Sequence, residues 1–142
     1  MRQRLKQLAV VALVAGFAAC SDSSGLGLSD LQFNVSEQVG AAPATPTALA
    51  KAGSGKIDLS GSLAGTLCQY LPAPEARFGD LGQITFLINL QNTGRQCPAV
   101  AGTLSYTATI PNTDAGSYEL FVQYDYPNVQ PTLVLDTTVT VR

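Results

Sequence analysis

Side chains able to do chemistry are few in this chain, and the most useful one is missing. None of the 142 residues is histidine. Histidine is the commonest general base, so neither a Ser-His-Asp nor a Cys-His nucleophile can be assembled. The serines fall in turns and on polar strand faces. The carboxylates Asp58, Glu75, Asp80, Asp114, Glu119, Asp125 and Asp136 stand singly. Spacing alone does not exclude a glycosidase pair in a β-fold, but nothing marks one. Calcium wants several clustered oxygens, and only Asp125 and Asp136 are placed to meet across neighbouring strands. Cys68 and Cys97 without histidine fall short of the four ligands of a structural zinc site. Phosphate-cradling glycine loops are absent. The chain reads as a non-enzyme with no cofactor and no metal.

Cys20 has a different setting. Arg2, Arg4 and Lys6 precede an apolar run from Leu8 to Ala19. At about a dozen residues that run is shorter than the ~20 a spanning helix needs. It ends in Phe17-Ala18-Ala19-Cys20, which resembles the lipobox of bacterial lipoproteins, with Phe17 where such lipoboxes favour leucine. The resemblance implies a signal peptide at 1–19, cleavage before Cys20, and lipid on the Cys20 thiol and amine. Ser21 in the next position implies sorting to the outer membrane, in a source that has one. An ordinary secretory signal cut nearby is the alternative.

With Cys20 acylated, Cys68 and Cys97 remain as a pair in an oxidising compartment, and a disulfide is expected. Three of the eight basic residues leave with the signal. Five Lys/Arg then face ten Asp/Glu, a net charge of −5. No basic stripe remains to neutralise phosphates, so nucleic acid is not an expected partner. The membrane link is the acyl chains alone.

Ser21 to Gly27 has linker composition. In Leu28 to Val39 an odd-position pattern (Leu31, Phe33, Val35, Val39) favours a strand, while Ser29 with Gln32 allows a capped helix. The strand is preferred because Phe33, Asn34 and Val35 form helices poorly. Gly40 to Gly55 lacks periodicity and reads as a spacer. The expected division is therefore a tether over 20–53, holding a strand at 28–39, and a domain over 54–142.

Within the domain, period-two alternation marks strands at Lys56–Ser62, Gln83–Gln91, Thr103–Ile110, Tyr118–Tyr126 and Thr132–Arg142. Gly61 and Gly65 suggest a bend or bulge before Leu67. Pro72, Pro74 and Gly79 suggest a loop over Gln69–Gly82. With no convincing helix, the class is all-β: an antiparallel sandwich of about 6–7 strands.

Asp114-x-Gly116-x-Tyr118 opens the most regular of these strands. It resembles the tyrosine corner of immunoglobulin-like domains, where the tyrosine hydroxyl bonds back to upstream backbone. The resemblance covers Gly102 to Arg142 and implies an Ig-like sandwich. Leu120 replaces the strand-F cysteine, and no tryptophan fills the core. Fibronectin-like and transthyretin-like plans therefore stay open, and a Cys68–Cys97 bond would staple loops or edges.

In an Ig-like arrangement Leu87, Phe121 and Val134 lie side by side on an outer face. They form a candidate partner surface, unless local structure covers them. The expected function is a non-catalytic, lipid-anchored cell-envelope protein that binds an envelope protein or assists assembly. The alternative is a small carbohydrate- or ligand-binding module using a loop with Tyr70, Arg77 and Phe78. Oligomeric state and ligand are left open.

Overall fold

A computed structural model of the chain describes residues 30–41 and 45–142. The leader, the lipidation candidate Cys20 and the Leu28–Ser29 start of the first expected strand lie outside the described residues. Eight strands follow in order: β1 (Gln32–Val39), β2 (Thr47–Ala52), β3 (Ile57–Ala64), β4 (Tyr70–Phe78), β5 (Gln83–Asn92), β6 (Gly102–Ile110), β7 (Gly116–Asp125) and β8 (Thr132–Val141). They form two four-stranded sheets, ordered β1-β6-β3-β2 and β4-β5-β7-β8. The protein is an all-β sandwich.

Alternation builds the core. Ile57, Leu59 and Leu63 from β3, with Leu104, Tyr106, Ala108 and Ile110 from β6, face Ile84, Phe86, Ile88 and Leu90 of β5. Leu120, Val122 and Tyr124 of β7 join them, with Ala76 of β4 and Val139 and Val141 of β8. Each large side chain taken wholly out of water stabilises the fold by roughly 1.5–3 kcal/mol.

Several expectations need correction. The sandwich does not begin at residue 54. β1 pairs with β6 and β2 with β3, so the stretch assigned to a tether over 20–53 supplies half of one sheet. β2 escapes a hydropathy reading because its inward residues are Ala48, Ala50 and Ala52, small enough to sit where β2 leans on β8. The Gln69–Gly82 segment is mostly strand. It holds Pro72 and Pro74 because β4 is an edge, where a strand tolerates proline. The bond from the Thr93 amide to the Gln69 carbonyl continues the β4–β5 register, so odd residues of β4 bond to β5. The prolines, at even positions, aim their nitrogens off the sheet and cost no ladder bond.

The sheets are not purely antiparallel, for β5 and β7 run parallel. A parallel pair needs a long return, and β6, lying in the opposite sheet, is that return. The Ig plan of two antiparallel sheets differs at this pair. Of the expected bend or bulge before Leu67, the bend occurs at Gly65, where β3 has ended and φ is +144°. No bulge occurs at Gly61, since β3 stays in register with β6 throughout. The bulge lies in β8 instead, opposite Val122/Gln123.

The chain enters at Leu31, beside the end of β6, where β6 also crosses to β7; the other two sheet-to-sheet crossings, β3–β4 and β5–β6, lie at the far end. Cys68 lies on the β3–β4 crossing and Cys97 on the β5–β6 crossing. They are disulfide-bonded with Cα atoms 5.8 Å apart.

Candidate functional site

The Tyr118 hydroxyl donates to the Asp114 carbonyl at 2.9 Å, closing the turn that opens β7. Gly116 sits under the Tyr118 ring. These three residues shape a corner and make no pocket.

The three residues offered as a ligand loop do not converge. Tyr70 and Phe78 stand at opposite ends of β4, roughly 26 Å apart at strand rise, and both pack toward the core. Arg77 points to solvent, bonded to Glu75 through Nε at 2.6 Å and through its terminal nitrogen at 2.9 Å. The cause is the strand itself, in which neighbouring residues take opposite faces.

On the outer face of the β4-β5-β7-β8 sheet, Leu87 and Phe121 are half-buried diagonal neighbours. Gln123 lies beside Leu87, and Thr85 and Asp136 flank Phe121. Val134 is not with them. The bulge turns it toward the core, and Leu133, 51% exposed and registered with Gln123, comes to the outer face instead. Sequence reasoning missed Leu133 because Leu133-Val134-Leu135 carries no alternation to show where the slip falls. Glu75 paired with Arg77, Asp136, and Glu119 bonded to Gln83 at 3.0 Å rim this apolar patch.

Asp136 registers with Phe121, and Asp125 lies four residues further along β7, roughly 13 Å away at strand rise. The two do not form a site. Among the described residues no group of three or more His, Cys, Asp or Glu is placed to hold a metal.

A shallow depression of about 670 Å³ lies on the outer face of the other sheet, lined by Leu49, Lys51, Asp58, Ser60, Thr107 and Thr109. Lys56 bonds to Asp58 at 2.9 Å, and the Thr109 hydroxyl donates to Asp58 at 2.7 Å. Lys56 first, and Thr109 next, hold the Asp58 carboxyl below its ordinary value. Asp58 is therefore ionised at neutral pH.

The buried polar chemistry sits between the sheets. The Tyr124 hydroxyl lies 2.6 Å from the Thr47 carbonyl and 3.0 Å from the Tyr106 hydroxyl. A carbonyl only accepts, so the Tyr124 proton goes to Thr47 and the Tyr106 proton to Tyr124. Tyr126 donates to the Ala64 carbonyl at 2.9 Å. Burial is the first cause that pushes all three hydroxyls above the ordinary tyrosine value of 10.0.

The fold favours the protonated phenol, so this contribution to stability is complete below pH 10 and is lost as the pH rises further. Alkaline titration should therefore show cooperative loss of sheet signal above about pH 10, with tyrosinate absorbance rising in the same transition. Buried tyrosines ionising without loss of structure would contradict this account.

The class these features define is a disulfide-stapled β-sandwich with closed packing and two decorated outer faces. No protein-family model, curated protein or solved structure matches the chain.

Proposed function

We propose that this protein is a non-catalytic, lipid-anchored cell-envelope module that acts by binding, held at a membrane through Cys20. One observation carries the reading. Cys68 and Cys97 are bonded to each other, which leaves Cys20, at the end of a basic-then-apolar leader, as the one cysteine of the three outside that bond. The lipobox-like Phe17-Ala18-Ala19-Cys20 gives that thiol a use. Support for binding comes from the Leu87/Phe121/Leu133 patch with its charged rim, the kind of surface that marks contacts with other proteins.

Expression in a bacterial host with an alkyne-bearing fatty acid should label the parent and leave the Cys20→Ser variant unlabelled. An unlabelled parent defeats the anchor. Envelope material captured by the parent should be lost with Phe121→Asp, a change on a half-exposed strand position. Equal capture by both removes the patch from the binding role.

A further inference from the structure

We infer that β1 is a self-association edge, across which a second copy of this chain adds its own β1 in antiparallel register. The inference stands on β1 alone and holds whether or not Cys20 carries lipid.

The four edge strands are unequally protected. β2 packs on β8, and the Gly55 and Arg142 amides bond across their ends to the Arg142 and Gly53 carbonyls, closing that flank. β4 places Pro72 and Pro74 at positions whose nitrogens face outward, which removes donors from its free side. β1 has no such device. Its eight residues contain no proline, no lysine and one charge, Glu37.

The bonding pattern of that edge follows from one contact. The Gly40 amide donates to the Ala101 carbonyl at 2.9 Å, in line with the β1–β6 register. In an antiparallel ladder bonded and non-bonded pairs alternate, so even residues of β1 bond to β6. Phe33, Val35, Glu37 and Val39 therefore turn their N–H and C=O groups away from the sheet. Among the described residues no strand pairs with that side.

Three observations select a second copy as the occupant. Self-pairing opposes bonding residues with bonding residues, since the outward set is odd on both strands. The outward side chains that become cross-strand neighbours are Gln32, Asn34, Ser36 and Gln38, all neutral. Glu37, the one charge, lies on the other face. With the two-fold at residue 34, 35 or 36 it sits opposite Leu31, Phe33 or Val35 of the second copy, so no like charges lie directly opposite although the chain as a whole is acidic. Finally, Phe33 and Val35 pack only partly against the core, on the flank where β1 and β4 are at most sparsely in contact. A two-fold partner lays its own Phe33 and Val35 alongside them. Ser21–Ser29, which precedes β1, is Ser/Gly-rich and poor in strand formers.

The test uses the full chain in detergent micelles. Sedimentation from low to high micromolar concentration should show a monomer–dimer equilibrium. Amide exchange at Phe33, Val35, Glu37 and Val39 should slow as dimer forms, while the even amides of β1 stay protected at every concentration. The double variant Asn34→Lys/Ser36→Lys, at exposed positions, should be a folded monomer. With the two-fold at residue 34, 35 or 36, it sets lysines directly opposite one another, and like charges so placed repel. A parent that stays monomeric, odd amides indifferent to concentration, or a dimer that survives the double lysine variant would each overturn the inference.

Discussion

Gly61→Ala should be among the most damaging single substitutions in the domain, costing about 3 kcal/mol or more and lowering Tm by about 15 °C. Gly61 lies in mid-strand on β3, opposite Ala48 of β2 and Tyr106 of β6. A Cβ built there meets the Tyr106 and Tyr124 hydroxyl oxygens at 2.7 Å each and comes closer still to the Thr47 carbonyl oxygen. None of the three can easily withdraw. Thr47 is held in the β2–β3 ladder, and both tyrosine rings are packed, 6.0 Å apart and edge-on. Relief means breaking the hydroxyl chain, which strands polar groups away from water at about 1–3 kcal/mol apiece. Thermal melts of the Gly61→Ala and Tyr124→Phe variants should show the alanine as the worse. Tyr124→Phe removes one hydroxyl and leaves room, whereas the alanine inserts bulk with no room. A Gly61→Ala protein melting with the parent would show that the hydroxyl cluster relaxes freely.

The same glycine shows where the sequence was legible. Strands whose inward residues are large declared themselves: β5 through Ile84, Phe86 and Ile88, β6 through Leu104 and Ile110, and β7 through Leu120 and Val122. β2 was hidden because alanine carries almost no hydrophobic contrast. β4 was hidden because two prolines read as a loop until the strand is known to be an edge. Gly61 reads in the sequence as an interruption, but its purpose depends on Tyr106 and Tyr124, 45 and 63 residues away in sequence. Of the candidate surfaces, the outward facing of Leu87 and Phe121 follows from alternation, and their adjacency from the strand order that the immunoglobulin resemblance implies. The exchange of Val134 for Leu133 rests on a bulge that no local pattern announces, and the dispersal of Tyr70, Arg77 and Phe78 follows from the misread loop. The bonding parity of the β1 edge required the register with β6, which lies some 70 residues downstream.

Replacing both bridging cysteines, Cys68→Ala with Cys97→Ala, should lower stability by about 3.5 kcal/mol, the chain-entropy value for a closed loop of about 30 residues. The bridge separates residues 29 apart in sequence, and the loop it closes contains the whole β4–β5 pair. In the unfolded chain it removes conformations that the open chain would regain. In the folded protein it joins the two crossings that carry the backbone between sheets at the end away from Leu31. Those crossings have other ties. The Gln69 and Tyr70 amides bond to the Thr66 carbonyl, Thr93 bonds to Gln69 through backbone and to the Cys68 carbonyl through its hydroxyl, and Gly65 bonds to Gly102. The double variant should therefore keep its sheet spectrum while its Tm falls by about 15 °C. Faster amide exchange should be confined at first to residues 65–69 and 93–101. Reduction of the parent should reproduce both effects without any substitution. A double variant that melts with the parent would place the stabilisation in these backbone ties. One that loses its sheets altogether would show that the crossings cannot be held without the covalent bond.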